Sequence, residues 1–441
     1  MNRKLAATVM IILMSALGLS LKVHRVEASG TIYIRADGSV EGTDKIQREE
    51  NIYIFVDDIN GSIVVDRDNI TIDGAGYTLQ GIGDEKGVDL TGRKNVTIKN
   101  TNIKNFEYGI YLWDSVRNSI IENKITNNGY GIYLYWFASN YTTISRNNIT
   151  ANRWSGIYLY SLSNYNTIIR NNITKNGDYG IELVSSSYNN ITENSIKNND
   201  GWGVSLEYYS NYNTINGNNI ANNERGIFLD SSRNNSIIHN NITANSESGI
   251  FLFWKSNKNT IRRNYIANNS YGLRFAGPKM WSNGVPIYEN PSLNLIQENN
   301  IENNREAGLK IENSSDNIFY HNNFLNNTIQ IHSVNSTNTW DNGYPSGGNF
   351  WSDYNGTDTN NDGIEDTPYV VDEKNKDRYP LMNPWTPSEH QPVTPPAPFW
   401  MQWWLWAILA VVIVALAGAV YFLKKRKPPA PTAPTTATDG T

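Results

Sequence analysis

The feature that most constrains this chain is a repeat. A glycine followed by an aliphatic residue returns at Gly87, Gly109, Gly131, Gly156, Gly180, Gly203, Gly226, Gly249, Gly272 and Gly308. The steps are 22, 22, 25, 24, 23, 23, 23, 23 and 36 residues, the last lengthened by an insertion around PKMWSNGVPIYENPS, residues 278–292. A fixed period of this size means a solenoid, a propeller or an array, because one unit cannot bury its own apolar face. Each unit offers three very short β-like pieces, as in GIFLD, NSIIH and NNIT within residues 226–243. None is long enough for an amphipathic helix, and β-branched residues dominate the apolar positions. Three short strands per unit suit one coil of a right-handed, single-stranded parallel β-helix of about 22–25 residues. Residues 31 to about 340 leave room for roughly 13 coils.

Asparagine columns sharpen that reading. One runs Asn123, Asn147, Asn171, Asn194, Asn218, Asn240, Asn264, Asn299 and Asn322, just before the third strand. A second follows that strand at Asn128, Asn152, Asn176, Asn199, Asn223, Asn245, Asn269, Asn304 and Asn327. A third, before the second strand, includes Asn118, Asn166, Asn189, Asn213, Asn235, Asn259, Asn294 and Asn317, with Thr142 its exception. Identical side chains stacked every ~4.8 Å can form amide ladders, and Asn tolerates the left-handed backbone that tight corners need. The aliphatic residues of Gly-Ile-x-Leu, with the Ile of the two later strands, then fill a continuous interior.

Both ends read as addresses. Arg3 and Lys4 precede an apolar run from Leu5 to Leu21, and Val26-Glu27-Ala28 suits a cleavage site, so residues 1–28 read as a signal peptide. Residues 29–86 read as the N-terminal cap and first coils, 87–339 as the repeats, and 340–385 as a small C-terminal module. A Pro-rich stalk (386–398) leads to a charge-free apolar stretch, 399–423, headed by Trp400, Trp403, Trp404 and Trp406. Lys424 to Lys427 follow at once. That is the layout of a single-pass transmembrane helix, its disordered tail (424–441) cytoplasmic and the β-helix extracellular. The chain has no cysteine, which removes disulfides and thiolate metal sites. With a net charge of -5 and no basic stripe outside the termini, nucleic acid is not a partner.

The Asn-rich coils with Gly-Ile-x-Leu strands, together with the tail NFWSDYNGTD and NNDGIEDTPY, resemble the NosD-like parallel β-helix family, in the form found on archaeal surface proteins. That family is related to a domain shared by carbohydrate-binding proteins and sugar hydrolases. The resemblance implies a β-helix over most of residues 31–385, and a choice among several functions. Its named member is linked to copper delivery for nitrous oxide reductase. Copper wants clustered His, Met or Cys. Outside the two apolar ends this chain offers only His239, His321, His332 and His390 with Met280 and Met382, a thin donor set. An envelope or transporter partner is a further role that the resemblance implies.

Outward positions of the first strand carry the candidate chemistry, since the Ile and Leu between them point in. Tyr111, Trp113, Tyr133, Tyr135, Tyr158 and Tyr160 would pave three coils, then Glu182, Glu207 and Asp230 would form an acidic patch, then Phe228, Phe251 and Phe253 resume the pavement. Aromatic faces beside carboxylates suit a polysaccharide; cross-strand stacking that only stabilises the sheet is the alternative. Glu207 and Asp230 share a column about 5 Å apart, a separation at which two carboxylates could divide the work of a glycoside hydrolase, or hold a cation for a polysaccharide lyase. In DTNNDGIED, the oxygen donors Asp358, Asn360, Asp362, the Ile364 carbonyl and Asp366 alternate around a glycine, as in a structural calcium loop, although Tyr369 stands where an EF-hand has Glu. Fourteen Asn-x-Ser/Thr sequons occur. Because many belong to the RNNIT corners, where a ladder Asn would be buried, Asn60, Asn335 and Asn355 are the expected glycosylation sites.

Overall fold

The structure, a computed structural model, describes residues 30–136, 139–277, 280–282, 285–287 and 290–386. The expected leader, nearly all of the stalk, the apolar stretch 399–423 and the tail lie outside them. Among the described residues no helix is long and apolar enough to cross a membrane.

Three parallel faces wind around one interior. The first holds the longest strands, such as Tyr108–Trp113, Trp202–Glu207 and Ser248–Phe253. The second holds three-residue strands such as Thr167–Ile169, and the third others such as Asn172–Thr174. The second face is a 13-stranded sheet, parallel except for a hairpin at its N-terminal end. The other two merge into one 26-stranded sheet, because Ile59–Val65 pairs with a strand of each. Register places like on like: Ile110 pairs with Ile132, which pairs with Ile157, which pairs with Ile181. These columns, with Ile125, Ile149 and Ile173 and with Ile120, Ile144 and Ile168 of the other faces, are buried. Each buried Ile contributes about 1.5–3 kcal/mol.

The Asn ladders form as the sequence requires. Asn171 Nδ2 donates to Asn194 Oδ1 at 3.0 Å and to the Ile144 carbonyl at 2.9 Å. Its own Oδ1 accepts the Asn147 backbone N–H and side-chain amide. Each amide thereby serves the coil before and the coil after. Thr142 interrupts the third ladder at a cost: its hydroxyl and the Asn166 Nδ2 find no partner.

The corners differ from expectation. The ladder Asn do not hold the left-handed backbone; the residue before each one does. Arg170 (φ 56°) precedes Asn171, Lys175 (φ 57°) precedes Asn176, and Tyr165 (φ 57°) precedes Asn166. Arg170, Lys175 and Tyr165 throw their side chains into solvent, and only the next residue turns into the stack. None of the non-glycine residues with positive φ among those described is β-branched, as sterics demand. The repeat glycines answer a close approach: a Cβ on Gly203 would lie 2.7 Å from the Gly226 carbonyl oxygen and 2.6 Å from Ile220 Cγ2.

Residues 340–385 are not a separate module. Trp340 and Trp351 are buried and stack on Phe319 and Phe324, ring centroids 4.6 Å apart in both pairs. Asn349 continues one ladder and Asn338 another. Those ladders then end on Asp377, which accepts the Asn349 N–H at 2.7 Å, and on Asn375, which accepts the Asn338 N–H at 2.8 Å. The segment closes the open C-terminal end of the stack, where bare strand edges would recruit other chains. The insertion near 278–292 contains a short antiparallel hairpin, Met280–Ser282 with Val285–Ile287.

Candidate functional site

The long strands of the first face bring the expected aromatic residues together, with a column the sequence reading missed: the residue just before each repeat glycine. Tyr108 and Tyr130 from that column stack against Tyr133 at 5.2 Å each, and Tyr133 stacks on Tyr158 at 5.0 Å. Trp154 packs on Tyr130 at 4.9 Å. Burial pushes the Tyr111 and Tyr130 hydroxyls up to about 12, and those of Tyr133 and Tyr158 higher still. Much of each ring's face is therefore spent on its neighbours. The outer column stays more open: Tyr135 stacks on Tyr160 at 5.5 Å, and Trp113 is exposed.

Beyond the tyrosines the face turns acidic. Glu182 accepts a hydrogen bond from Ser155 Oγ at 2.6 Å, Glu207 one from Ser205 Oγ at 2.7 Å, and Asp230 one from Ser231 Oγ at 2.8 Å. Register sets Glu207 beside Val184, one coil on from Glu182, and Asp230 one coil further. Burial pushes Glu182 up to about 8, with Glu207 and Asp178 adding repulsion against the lowering effect of Ser155. Burial likewise raises Glu207 and Asp230, and Asp230 repels Glu207. Asp178, which the sequence reading did not single out, is raised by burial and by Glu224. The result is a half-buried group of carboxyls of which Glu182 holds its proton at neutral pH.

Phe228 and Phe251 point outward as expected but are buried. Arg225 lies over Trp202, Phe228 and Phe251, with its guanidinium carbon 5.1, 5.8 and 5.5 Å from the ring centroids. Arg274 covers Phe251 at 4.6 Å. Glu247 pairs with both arginines. Phe253 is half-buried and packs on Phe251 at 5.7 Å.

The other expected sites lie elsewhere. In the loop 358–366, Asp358 accepts the Asp362 and Gly363 N–H groups, Asp362 the Ile364 N–H, and Asp366 the Thr359 N–H and hydroxyl. Asn360 donates to Asp362. These carboxylates serve the loop itself, and no group of three His, Asp or Glu among the described residues gathers to hold a metal. Asn60, Asn335 and Asn355 are exposed. The expectation for the RNNIT sequons needs correction, because their sequon Asn is not the ladder residue. Asn147 and Asn171 are buried in the ladder, whereas Asn148 and Asn172 open the third strand and face solvent.

Two family comparisons match this architecture. The right handed beta helix region matches residues 136–279, and the family described as periplasmic copper-binding protein (NosD) matches residues 25–207 and 280–356. The chain belongs to the NosD family. None of the curated protein sequences compared with it matches. Solved structures similar to this NosD-family chain include the A-module of the Azotobacter vinelandii mannuronan C-5 epimerase AlgE6. It is 14% identical with a TM-score of 0.49, over 70% of this chain and 91% of that one. The periplasmic alginate epimerase AlgG is 15% identical with a TM-score of 0.44, over 70% and 84%. The Dettilon tailspike protein is 16% identical with a TM-score of 0.41, over 62% of each chain.

Among the described residues, the histidines of this NosD-family chain are not gathered to hold the copper of the family description. The chain has no cysteine. His321 is buried, stacked on Trp385 at 3.5 Å, and bonded through Nε2 to the Ser346 carbonyl at 2.8 Å. Burial lowers its pKa. His239 and His332 are exposed at separate places, a corner and the first face.

Proposed function

We propose that this chain is a membrane-anchored surface protein whose β-helix binds polysaccharide along its first face. The observation that carries the reading is the clustering of aromatic rings and half-buried carboxyls on the first face, where the outer column of Trp113, Tyr135 and Tyr160 continues through Val184 to Glu207. Rings offer apolar surface to sugar C–H faces, and carboxyls accept from hydroxyls. The signal peptide and the apolar stretch 399–423 with its Trp belt and basic stop support surface display, and Asn60, Asn335 and Asn355 would carry glycans there. Affinity electrophoresis of the full-length chain through neutral and acidic polysaccharides tests it. Retardation that a Trp113→Ala, Tyr160→Ala variant loses supports the reading; no retardation in any gel refutes it.

A second reading has its own observation. Glu182 neutral to about 8 is a ready proton donor, and Glu207 beside Asp230 supplies carboxylates at the spacing of retaining glycoside cleavage, about 5 Å. Released oligosaccharides that disappear in a Glu182→Gln chain would make this protein a carbohydrate-active enzyme. Calcium in the 358–366 loop is proposed only as a structural ion: it should raise the melting temperature of the chain but not of an Asp358→Asn, Asp366→Asn variant. A copper-maturation role has little donor support.

A further inference from the structure

Where the chain turns from the first face to the second, one left-handed residue stands two positions before each second-face strand. In successive coils it is Asn69, Asn95, Arg117, Tyr141, Tyr165, Tyr188, Tyr212, Asn234, Lys258, Leu293 and Asp316, with φ between 53° and 62°. The fold therefore does not ask for tyrosine here; Asn holds the same corner with the same backbone at lower steric cost. Yet four consecutive coils carry Tyr. Their rings stack face to face, with centroids 5.3, 5.0 and 5.0 Å apart and planes within 4–10°. All four are about half exposed, between 46% and 55%.

The surroundings repeat the anomaly. All seven Tyr and Trp residues with positive φ among the described residues lie on this turn: Trp136, Tyr141, Tyr165, Tyr188, Tyr208, Tyr209 and Tyr212. Leu162 joins them, and each of these side chains is exposed. Stacking contributes about 0.5–1.5 kcal/mol per aromatic pair, and a bulky left-handed residue costs about 1–3 kcal/mol. The ladder thus adds little to stability while leaving ring edges and a row of hydroxyls in water. Large exposed aromatic strips on soluble surfaces mark contacts.

The chemistry of the strip selects the occupant. Its described residues, 136, 139–141, 161–165, 185–188 and 208–212, are aromatic, Ser, Asn or Leu and include no charged side chain. That excludes an acidic polymer, which needs cations, and offers a neutral polyhydroxyl chain both apolar edges and hydrogen-bonding groups. The ring spacing is one coil, close to the length of a single pyranose unit in an extended chain.

We propose that the Tyr141–Tyr165–Tyr188–Tyr212 ladder is a binding strip for a neutral, extended polysaccharide lying along the coil axis, one sugar per coil. The choice of sugar rests on the carbohydrate reading of the first face, but the residues are different. The strip meets the outer column of that face through Trp136, which packs on Tyr135 at 5.6 Å.

The test titrates cello- and chito-oligosaccharides of increasing length into the full-length chain by calorimetry. Comparators are a Tyr165→Asn, Tyr188→Asn variant, which copies the other coils of this corner and so should fold, and a Trp113→Ala, Tyr160→Ala variant of the face. The proposal expects Kd to fall with length until the sugar spans the four rings and then level. The double Tyr variant should raise Kd about tenfold or more, with unchanged circular dichroism. Unchanged Kd in that variant, with binding lost in the face variant, overturns the strip and leaves the face reading standing. No binding by the unaltered chain overturns both. A Tyr variant that alters only self-association in sedimentation makes the strip a contact between copies, which also overturns the proposal.

Discussion

Ser155 reaches across one coil to give its hydroxyl hydrogen to Glu182 at 2.6 Å, although the two residues are 27 positions apart in sequence. The bond steadies a carboxyl that burial and the neighbours Glu207 and Asp178 keep protonated up to about 8. An acid held neutral in the fold has a definite thermodynamic consequence. Its stabilising contribution is complete below its ordinary value of 4.5 and is lost as pH rises toward about 8, because the unfolded chain releases that proton first. The melting temperature should therefore fall across that window. A Glu182→Gln chain should show a shallower fall; matching pH profiles for the two chains would remove Glu182 as the cause.

The ladder and its neighbour make a paired test. Asn171→Ala strands the Asn147 N–H and the Ile144 carbonyl inside the stack. At about 1–3 kcal/mol for each unsatisfied group, the loss should reach about 3 kcal/mol in urea unfolding. Asn172→Ala, one residue on and solvent-facing, should change stability by less than about 0.5 kcal/mol. Equal effects would mean that the ladder bonds contribute no more than surface ones.

Gly203→Ala places a methyl group against the Gly226 carbonyl oxygen and Ile220. Backbone cannot yield there without breaking register, so a loss of about 1–3 kcal/mol is expected. Gly217 stands at a left-handed corner (φ 65°) that other coils fill with Arg170, Glu193 and His239. Gly217→Asn should accordingly cost under about 1 kcal/mol, and thermal melts of the two variants compare them directly.

Asp377 is fully buried and accepts from the Asn349 N–H, the Trp351 indole and the Tyr379 N–H. Asp377→Ala leaves these donors bare at the C-terminal end of the stack. A loss of about 2 kcal/mol or more is expected, with amide exchange rising first near residues 340–385. Uniform exchange along the chain would argue that this end does not cap the helix.

The coil, its period and its ladders were legible because they depend on local steps repeated at constant spacing. Ile132 lies above Ile110 and Asn147 above Asn123 whatever else the chain does. The outward columns of Tyr111, Tyr133 and Tyr158 followed from alternation alone. What escaped was whatever required knowing which neighbour covers which. Phe228 and Phe251 looked open, but Arg225 lies over Phe228 from the start of the same strand and Arg274 over Phe251 from the next coil. Tyr108, Tyr130 and Trp202 escaped because a residue just before a glycine reads as a turn until the strand is seen to begin there.

By itself the sequence determined the β-helix and its inward aliphatic columns, since both depend on composition and spacing along the chain. The tertiary structure decided which groups share a desolvated environment. It gathered Asp178, Glu182 and Glu207, turned residues 340–385 into a cap, and aligned four tyrosines on one corner. Burial and through-space contact set those properties, and neither is a property of positions in a line.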